Sequence, residues 1–140
     1  MRLLAEDSED LEVISARLQD AVGKLSDFAW LPKQRRFACV LNRYRWEDAK
    51  SKTRVRSGLR FDNVFAVKSQ NLKHGEPEAV VSILALKYTN IAEQDVGGVI
   101  EITLAGGGAF RLEVECIDAE LSDLTTPWAA SRKPVHEGDR

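Results

Sequence analysis

Apolar residues between positions 7 and 22 recur at spacings of three and four, which is the period of an amphipathic helix. They are Leu11, Ile14, Leu18, Ala21 and Val22. Asp7 or Ser8 can accept hydrogen bonds from the free N–H groups of a first turn, and Gly23 is suited to end a helix in the left-handed conformation. This pattern predicts one helix over residues 7–22.

From residue 24 onward the apolar period changes to two, which is typical of half-buried strands. The predicted strands cover residues 37–46, 55–67, 80–88, 99–104 and 110–116. Residues 80–88 are apolar at nearly every position, which predicts a strand covered on both faces. Residues 105–109 form the turn of a hairpin, and residues 117–121 either extend the last strand or start a short helical turn.

These elements predict an α+β fold, in which one N-terminal helix packs on a strongly curved, mostly antiparallel sheet or a partly closed barrel of six to seven strands. We expect residues 1–124 to form a single α+β domain. Residues 125–140 contain Pro127 and Pro134 with few apolar side chains, and are predicted to be a loosely ordered C-terminal tail.

The basic residues are concentrated in one part of the chain. The formal net charge of the 140 residues is only −2, yet ten of the twenty Lys and Arg residues lie between Lys33 and Arg60, together with only two acids, Glu47 and Asp48. Such a charge asymmetry indicates an anionic partner without identifying it. The sequence predicts a basic patch for a protein or nucleic-acid partner.

Cys39 and Cys116 each lie in an apolar, strand-like run, and we expect both to be buried free thiols in a reducing compartment. The N-terminal residues turn acidic at once, which does not fit a signal peptide, and no apolar run approaches the length of a membrane span. The sequence therefore predicts a cytoplasmic protein that makes no membrane contact.

Several short strings resemble a known family. They are Ala-Trp-Leu-Pro at 29–32, Arg-Arg-Phe at 35–37 and Leu-Asn-Arg-Tyr-Arg-Trp-Glu at 41–47. With the helical segment at 7–22, they are similar to the uncharacterised, largely alphaproteobacterial family filed as domain of unknown function 2948. The resemblance covers nearly the whole chain. It implies a bacterial, cytoplasmic, single-domain protein, and it implies no activity, cofactor or catalytic residue.

No residue pattern in the sequence supports a metal or catalytic site. The two cysteines are far apart in the chain, and His74 and His136 lie in a predicted loop and tail, which does not fit zinc-ligand spacing. A Ser or Cys nucleophile needs an adjacent base, and none is evident. The glycines at 106–108 are followed by a strand instead of a helix, so they predict a turn and no phosphate loop. We expect no catalytic residues, no metal and no cofactor.

The basic stretch remains as the candidate site. Alternation places Arg43 and Arg45 on one strand face, opposite Tyr44 and Trp46. The candidate partner-binding residues are Arg43, Arg45, Arg54, Arg56 and Arg60, with Tyr44 and Trp46. If the two strands pair, the five guanidinium groups share one face, where each can bind phosphate or carboxylate in a bidentate manner.

A second interpretation of these residues stays open. Each arginine can instead face an acid of a neighbouring strand, for which the candidates are Glu101, Glu113, Glu115 and Asp118. Tyr44 and Trp46 can equally be core residues.

Three functional hypotheses follow from the candidate residues. The first is a small non-enzymatic binding or adaptor domain that uses the arginine face for an anionic partner. The second is single-stranded nucleic-acid binding by that face, with Tyr44 or Trp46 stacking on bases. The third is an enzyme that acts on a phosphorylated metabolite, which lacks an evident base. A homodimer is compatible with all three.

Overall fold

The computed structural model describes residues 1–72, 75–91 and 97–130, and these residues form one α-helix, α1 (Ser8–Arg17), and an eleven-stranded sheet. The strands are β1 (Arg2–Ala5), β2 (Val22–Lys24), β3 (Phe28–Leu31), β4 (Arg36–Tyr44), β5 (Thr53–Phe61), β6 (Val64–Gln70), β7 (Val80–Asn90), β8 (Gly98–Leu104), β9 (Ala109–Val114), β10 (Ala119–Asp123) and β11 (Trp128–Ala129). The predicted α+β class is confirmed, with more strands than expected.

The sheet follows the order β1-β10-β5-β4-β2-β7-β8-β9-β6, with β3 also paired to β4 and β11 paired to β5. All of these pairs are antiparallel. The path ends at β1 on one side and β6 on the other, so the sheet is not a closed barrel.

Both halves of the sheet contribute to one hydrophobic core. Phe28 on β3 and Phe37 on β4 each lie 5.1 Å, between ring centroids, from Phe110 on β9. Helix α1 packs against β7 and β1 and buries Leu11 and Ile14 on its apolar stripe. The core is therefore on one side of β1–β5 and β10, and the other side of these strands is not covered by the helix.

Helix α1 begins where the sequence predicts and ends early. The Asp7 carboxylate accepts a hydrogen bond from the Asp10 N–H at 2.8 Å, which caps the first turn. The helix stops at Arg17, and Asp20, at φ 63°, reverses the chain in place of Gly23. The predicted extension to residue 22 is wrong because Val22 starts β2 and pairs with Ser82 of β7.

Two strand predictions are also corrected. The run predicted at residues 55–67 is two strands, because Asn63 adopts a left-handed conformation, at φ 59°, and sends β6 away from β5 to pair with β9. Strand β7 is not covered on both faces, since Val80 is 68% exposed and Leu84 is 44% exposed. Residues 117–121 belong largely to a separate strand, β10.

Cys39 is buried, as predicted, but Cys116 is exposed because it lies in the turn between β9 and β10. Part of the segment predicted as a loose tail is paired, because Trp128 and Ala129 of β11 lie opposite Arg54 and Thr53 of β5. Residues 131–140, and both histidines, lie outside the described residues. Within the described ranges, no helix is long and apolar enough to cross a membrane.

Two strand glycines differ in the space around them. A Cβ atom at Gly98 would lie 2.5 Å from the Thr89 carbonyl oxygen and 2.7 Å from the Tyr88 ring, whereas the three atoms nearest to one at Gly58 belong to Leu124, at 3.6–3.9 Å. We expect Gly98→Ala to lower the free energy of unfolding by about 1–3 kcal/mol through overpacking. Gly58→Ala should leave it unchanged or raise it by up to about 1 kcal/mol. Urea denaturation measures both, and equal effects would contradict this description of the packing.

Candidate binding face

The alternation of β4 decides which residues face the core and which face away. Its buried residues at alternate positions are Phe37, Cys39, Leu41 and Arg43, and Tyr44, at the end of the strand, is buried as well. Directly opposite residues of an antiparallel pair lie on the same face. Because Arg56 is opposite Asn42, Gly58 opposite Val40 and Arg60 opposite Ala38, these three β5 residues point away from the core. We call the surface formed by the outward residues of β1–β5, β10 and β11, with the adjoining Val80 and Leu124, the outer face.

Arg43 is not on the outer face, so the prediction that five guanidinium groups share one face is wrong. Its side chain is fully buried on the core side, opposite Val55. Two of its nitrogens donate to both carboxylate oxygens of Glu47 at 2.8 Å, and one also donates to Asp123 at 3.0 Å. Its Nε donates to Ser57 at 3.0 Å. Two features of the sequence indicate this burial. Arg43 follows Leu41 by two positions in an alternating apolar series, and Glu47, four residues later, can balance its charge.

The electrostatics of this buried group hold both carboxylates ionised. Burial alone would raise the pKa of Glu47, but the hydrogen bonds and charge of Arg43 outweigh it and lower the pKa below its ordinary value of 4.5. Burial would likewise raise the pKa of Asp123, and hydrogen bonds from Ser57 and Arg43 lower it below 3.8. The paired charges of Arg43, Glu47 and Asp123 therefore have a structural role.

The two candidate stacking residues are also not free to bind a partner. Tyr44 is 1% exposed and donates its hydroxyl to the Ala49 carbonyl at 3.1 Å. The Trp46 indole N–H donates to the Gln19 carbonyl at 3.0 Å, and its ring meets Tyr44 edge to face at 4.8 Å. The predicted base stacking by Tyr44 is wrong because its ring is enclosed, and Trp46 is half-buried in the same cluster.

Two of the predicted arginines are neutralised by nearby acids. Arg45 donates to Thr53 and lies 3.6 Å from Asp48. Arg60 donates to Glu120 at 2.7 Å and lies 2.9 Å from Asp62. These acids are not the ones expected from the sequence, since Glu101 pairs with Arg111, Glu113 with Lys68, and Asp118 accepts from Asn63.

Arg54 and Arg56 differ from the other arginines of the predicted site. Neither forms an ion pair with any residue within 1–72, 75–91 and 97–130. Arg54 is half-buried and Arg56 is exposed. The outer face therefore presents two positive charges that the described part of the chain does not neutralise.

Apolar side chains share the outer face with these arginines, which the sequence reasoning missed. Nine large apolar residues are exposed in the described ranges, and five of them lie on this face. They are Leu4, Leu31, Val80, Leu124 and Trp128. A solvated face of an antiparallel sheet is usually polar. Apolar side chains beside arginine and tryptophan are typical of interface cores.

Two adjoining depressions mark the middle of the outer face. The first, of about 360 Å³, has an apolar floor that includes Ala38, Val40 and Gly58. The second, of about 500 Å³, is lined by polar groups that include Asn42 and Arg56. Val40 and Asp27 line both, so the two depressions are direct neighbours on this face.

The described part of the chain contains no cluster of three or more His, Cys, Asp or Glu residues that could hold a metal ion. The buried Cys39 lies beneath the outer face, and burial raises the pKa of its thiol far above the ordinary value, which keeps the thiol protonated. The groups that this face offers to a ligand include the guanidinium groups of Arg54 and Arg56 and the exposed apolar side chains.

A family model described as "Protein of unknown function (DUF2948)" matches residues 1–136. The chain belongs to this family. The resemblance drawn from the sequence strings is thereby confirmed, and the family description assigns no activity. Neither a comparison with curated proteins nor one with solved structures gave a match.

Loss of the Arg43 guanidinium should be far more damaging than loss of an outer-face arginine. Arg43→Leu leaves Glu47 and Asp123 without their buried partner, and we expect it to lower the free energy of unfolding by about 3–5 kcal/mol. The matched variant Arg56→Leu removes an exposed, unpaired group and should change it by less than about 0.5 kcal/mol. Urea denaturation of the two variants measures both changes in the free energy of unfolding. An equally small loss of stability in Arg43→Leu and Arg56→Leu would contradict the structural role of Arg43.

The buried charge cluster should also make stability depend on acid. Because the pKa values of Glu47 and Asp123 are lower in the folded state than in the unfolded state, their ionised carboxylates stabilise the fold fully at pH 7. This contribution disappears as the pH falls through the folded-state pKa values. We expect the free energy of unfolding to decrease below about pH 5 and to keep falling toward pH 3. Asp123→Asn should show a shallower decrease over the same range. Identical pH slopes for both proteins would contradict this assignment.

Proposed function

We propose that the protein is a non-enzymatic binding domain whose outer face holds an anionic protein partner. The observation that carries this proposal is the combination of Arg54 and Arg56, without ion pairs in the described residues, and five exposed apolar side chains on one sheet face. An exposed apolar patch with polar neighbours is typical of protein interaction sites. Arginine and tryptophan are also enriched among residues that dominate binding energies.

Charge favours an acidic partner over a second copy of the same face. In a twofold dimer the same patch meets itself, so Arg54 and Arg56 of both copies would enter one interface. Like charges brought together in this way oppose association. An acidic partner instead supplies the carboxylates that both guanidinium groups lack in the described chain.

The alternative of single-stranded nucleic-acid binding receives less support. It relied on Tyr44 or Trp46 stacking on bases, and Tyr44 is enclosed while the Trp46 N–H is bonded to the backbone. The sequence pI near 5.7 also differs from the strongly basic character of dedicated nucleic-acid domains. The enzyme alternative needs a base, and His74 and His136 lie outside the described residues.

The proposal is tested with a variant that reverses only the two unpaired charges, Arg54→Glu with Arg56→Glu. The control is Lys68→Glu with Lys87→Glu, which makes the same change in net charge on β6 and β7, away from the outer face. Each full-length protein is used for crosslinking capture from the cells that make it, followed by mass spectrometry at low and moderate salt.

We expect a partner that wild type and the lysine control capture alike and that the arginine variant loses by at least about tenfold, since charge-assisted bonds contribute about 1.5–3 kcal/mol each. The purified partner should have an acidic surface and bind more weakly as salt rises. A partner set unchanged by the arginine variant would refute the proposal. Loss in both variants would also refute it, because the effect would then be one of total charge.

A further inference from the structure

The first depression of the outer face is suited to one apolar side chain. Its floor is apolar, and Gly58 adds no side chain to it; the three atoms nearest to a Cβ atom placed at Gly58 belong to the Leu124 side chain, at 3.6–3.9 Å, which is ordinary contact distance. Its rim carries charges that are already paired, namely Arg36 with Asp62 at 2.8 Å and Arg60 with Glu120 at 2.7 Å. An apolar floor beside charges that are already paired favours burial of a hydrocarbon group over binding of another ion.

The second depression is suited to an anion. Lys24 lines it but is occupied by Glu78 at 2.7 Å. The Asp27 carboxylate accepts from the Lys24 backbone N–H at 3.3 Å. Of the cations that line it, Arg56 is the one with no ion-pair partner in the described residues, and it lies next to the Asn42 side chain directly opposite it on β4. A guanidinium group with a neighbouring amide donor can bind a carboxylate through several hydrogen bonds.

Strand β5 sets the spacing between Gly58, which lines the first depression, and Arg56, which lines the second. Gly58 and Arg56 are two residues apart on β5 and point to the same face. At a rise of about 3.3 Å per residue they are about 7 Å apart. An extended peptide repeats its own side chains on one face at the same spacing. A segment lying along β5 can thus place one side chain over Gly58 and the side chain two positions away against Arg56.

From this spacing we infer that the outer face recognises an extended, acidic protein segment in which an apolar residue and a carboxylate are two positions apart. The apolar side chain fills the depression over Gly58, and the carboxylate binds Arg56. This inference rests on the proposed function and specifies the chemistry of its partner.

The test uses a phage-displayed library of random peptides, selected against immobilised full-length protein. The same selection is made against Gly58→Val, which fills the first depression, against Arg56→Glu, and against the control Lys87→Glu on β7. Gly58→Ala serves as a milder filling variant should valine disturb the strand. Unfolding curves for each variant verify that the fold is retained.

We expect wild type and Lys87→Glu to enrich peptides with an apolar residue two positions from Asp or Glu. Synthetic copies of those peptides should bind Gly58→Val and Arg56→Glu at least about tenfold more weakly, because one buried side chain or one charge-assisted bond contributes that much. Gly58→Ala should weaken binding by a smaller factor.

Three results would overturn the inference: no enriched peptide, enriched acidic peptides without the apolar spacing, or spaced peptides that bind Gly58→Val as well as wild type. None of them bears on the capture experiment with Arg54→Glu and Arg56→Glu. A partner lost in that experiment, with no spaced peptide found here, would leave the outer face as an interface for a folded acidic surface.

Discussion

The buried guanidinium of Arg43 is the interaction on which the geometry of the sheet's first half depends. A charge removed from water is tolerated only when its hydrogen bonds are satisfied and its charge is balanced. Here Glu47, Ser57 and Asp123 meet that requirement, and they come from the turn after β4, from β5 and from the end of β10. Any shift of these segments against one another would break a bond to a group that cannot reach solvent.

This constraint also determines what the outer face presents. Because Arg43 points inward opposite Val55, a one-residue slip of β4 against β5 would expose its charge network and bury arginines. The register that keeps Arg43 satisfied is the one that turns Arg54, Arg56 and Gly58 outward. The binding face is therefore a consequence of the same pairing that stabilises the core.

The sequence predicts well those elements whose signal is local and repeated. The cap at Asp7, the strands around Leu41 and Leu59 and the hairpin of β8 and β9 follow from periodicity and turn chemistry. Strands β1, β2 and β3 have four residues or fewer, so alternation cannot distinguish them from loops. The end of α1 could not be predicted from spacing, because Ala21 and Val22 continue the helical pattern. In the structure their backbone pairs with β7 instead.

The candidate site shows a similar limit, because a basic residue is assigned to solvent unless its partner is known. Alternation alone places Arg43 with Leu41 on the core side, but only the fold brings Asp123 to it from the other end of the chain. Four of the ten basic residues between Lys33 and Arg60 are thus ion-paired within the described part of the molecule, namely Arg36, Arg43, Arg45 and Arg60. The proposed binding site depends on fewer groups, namely Arg54, Arg56 and the depression over Gly58.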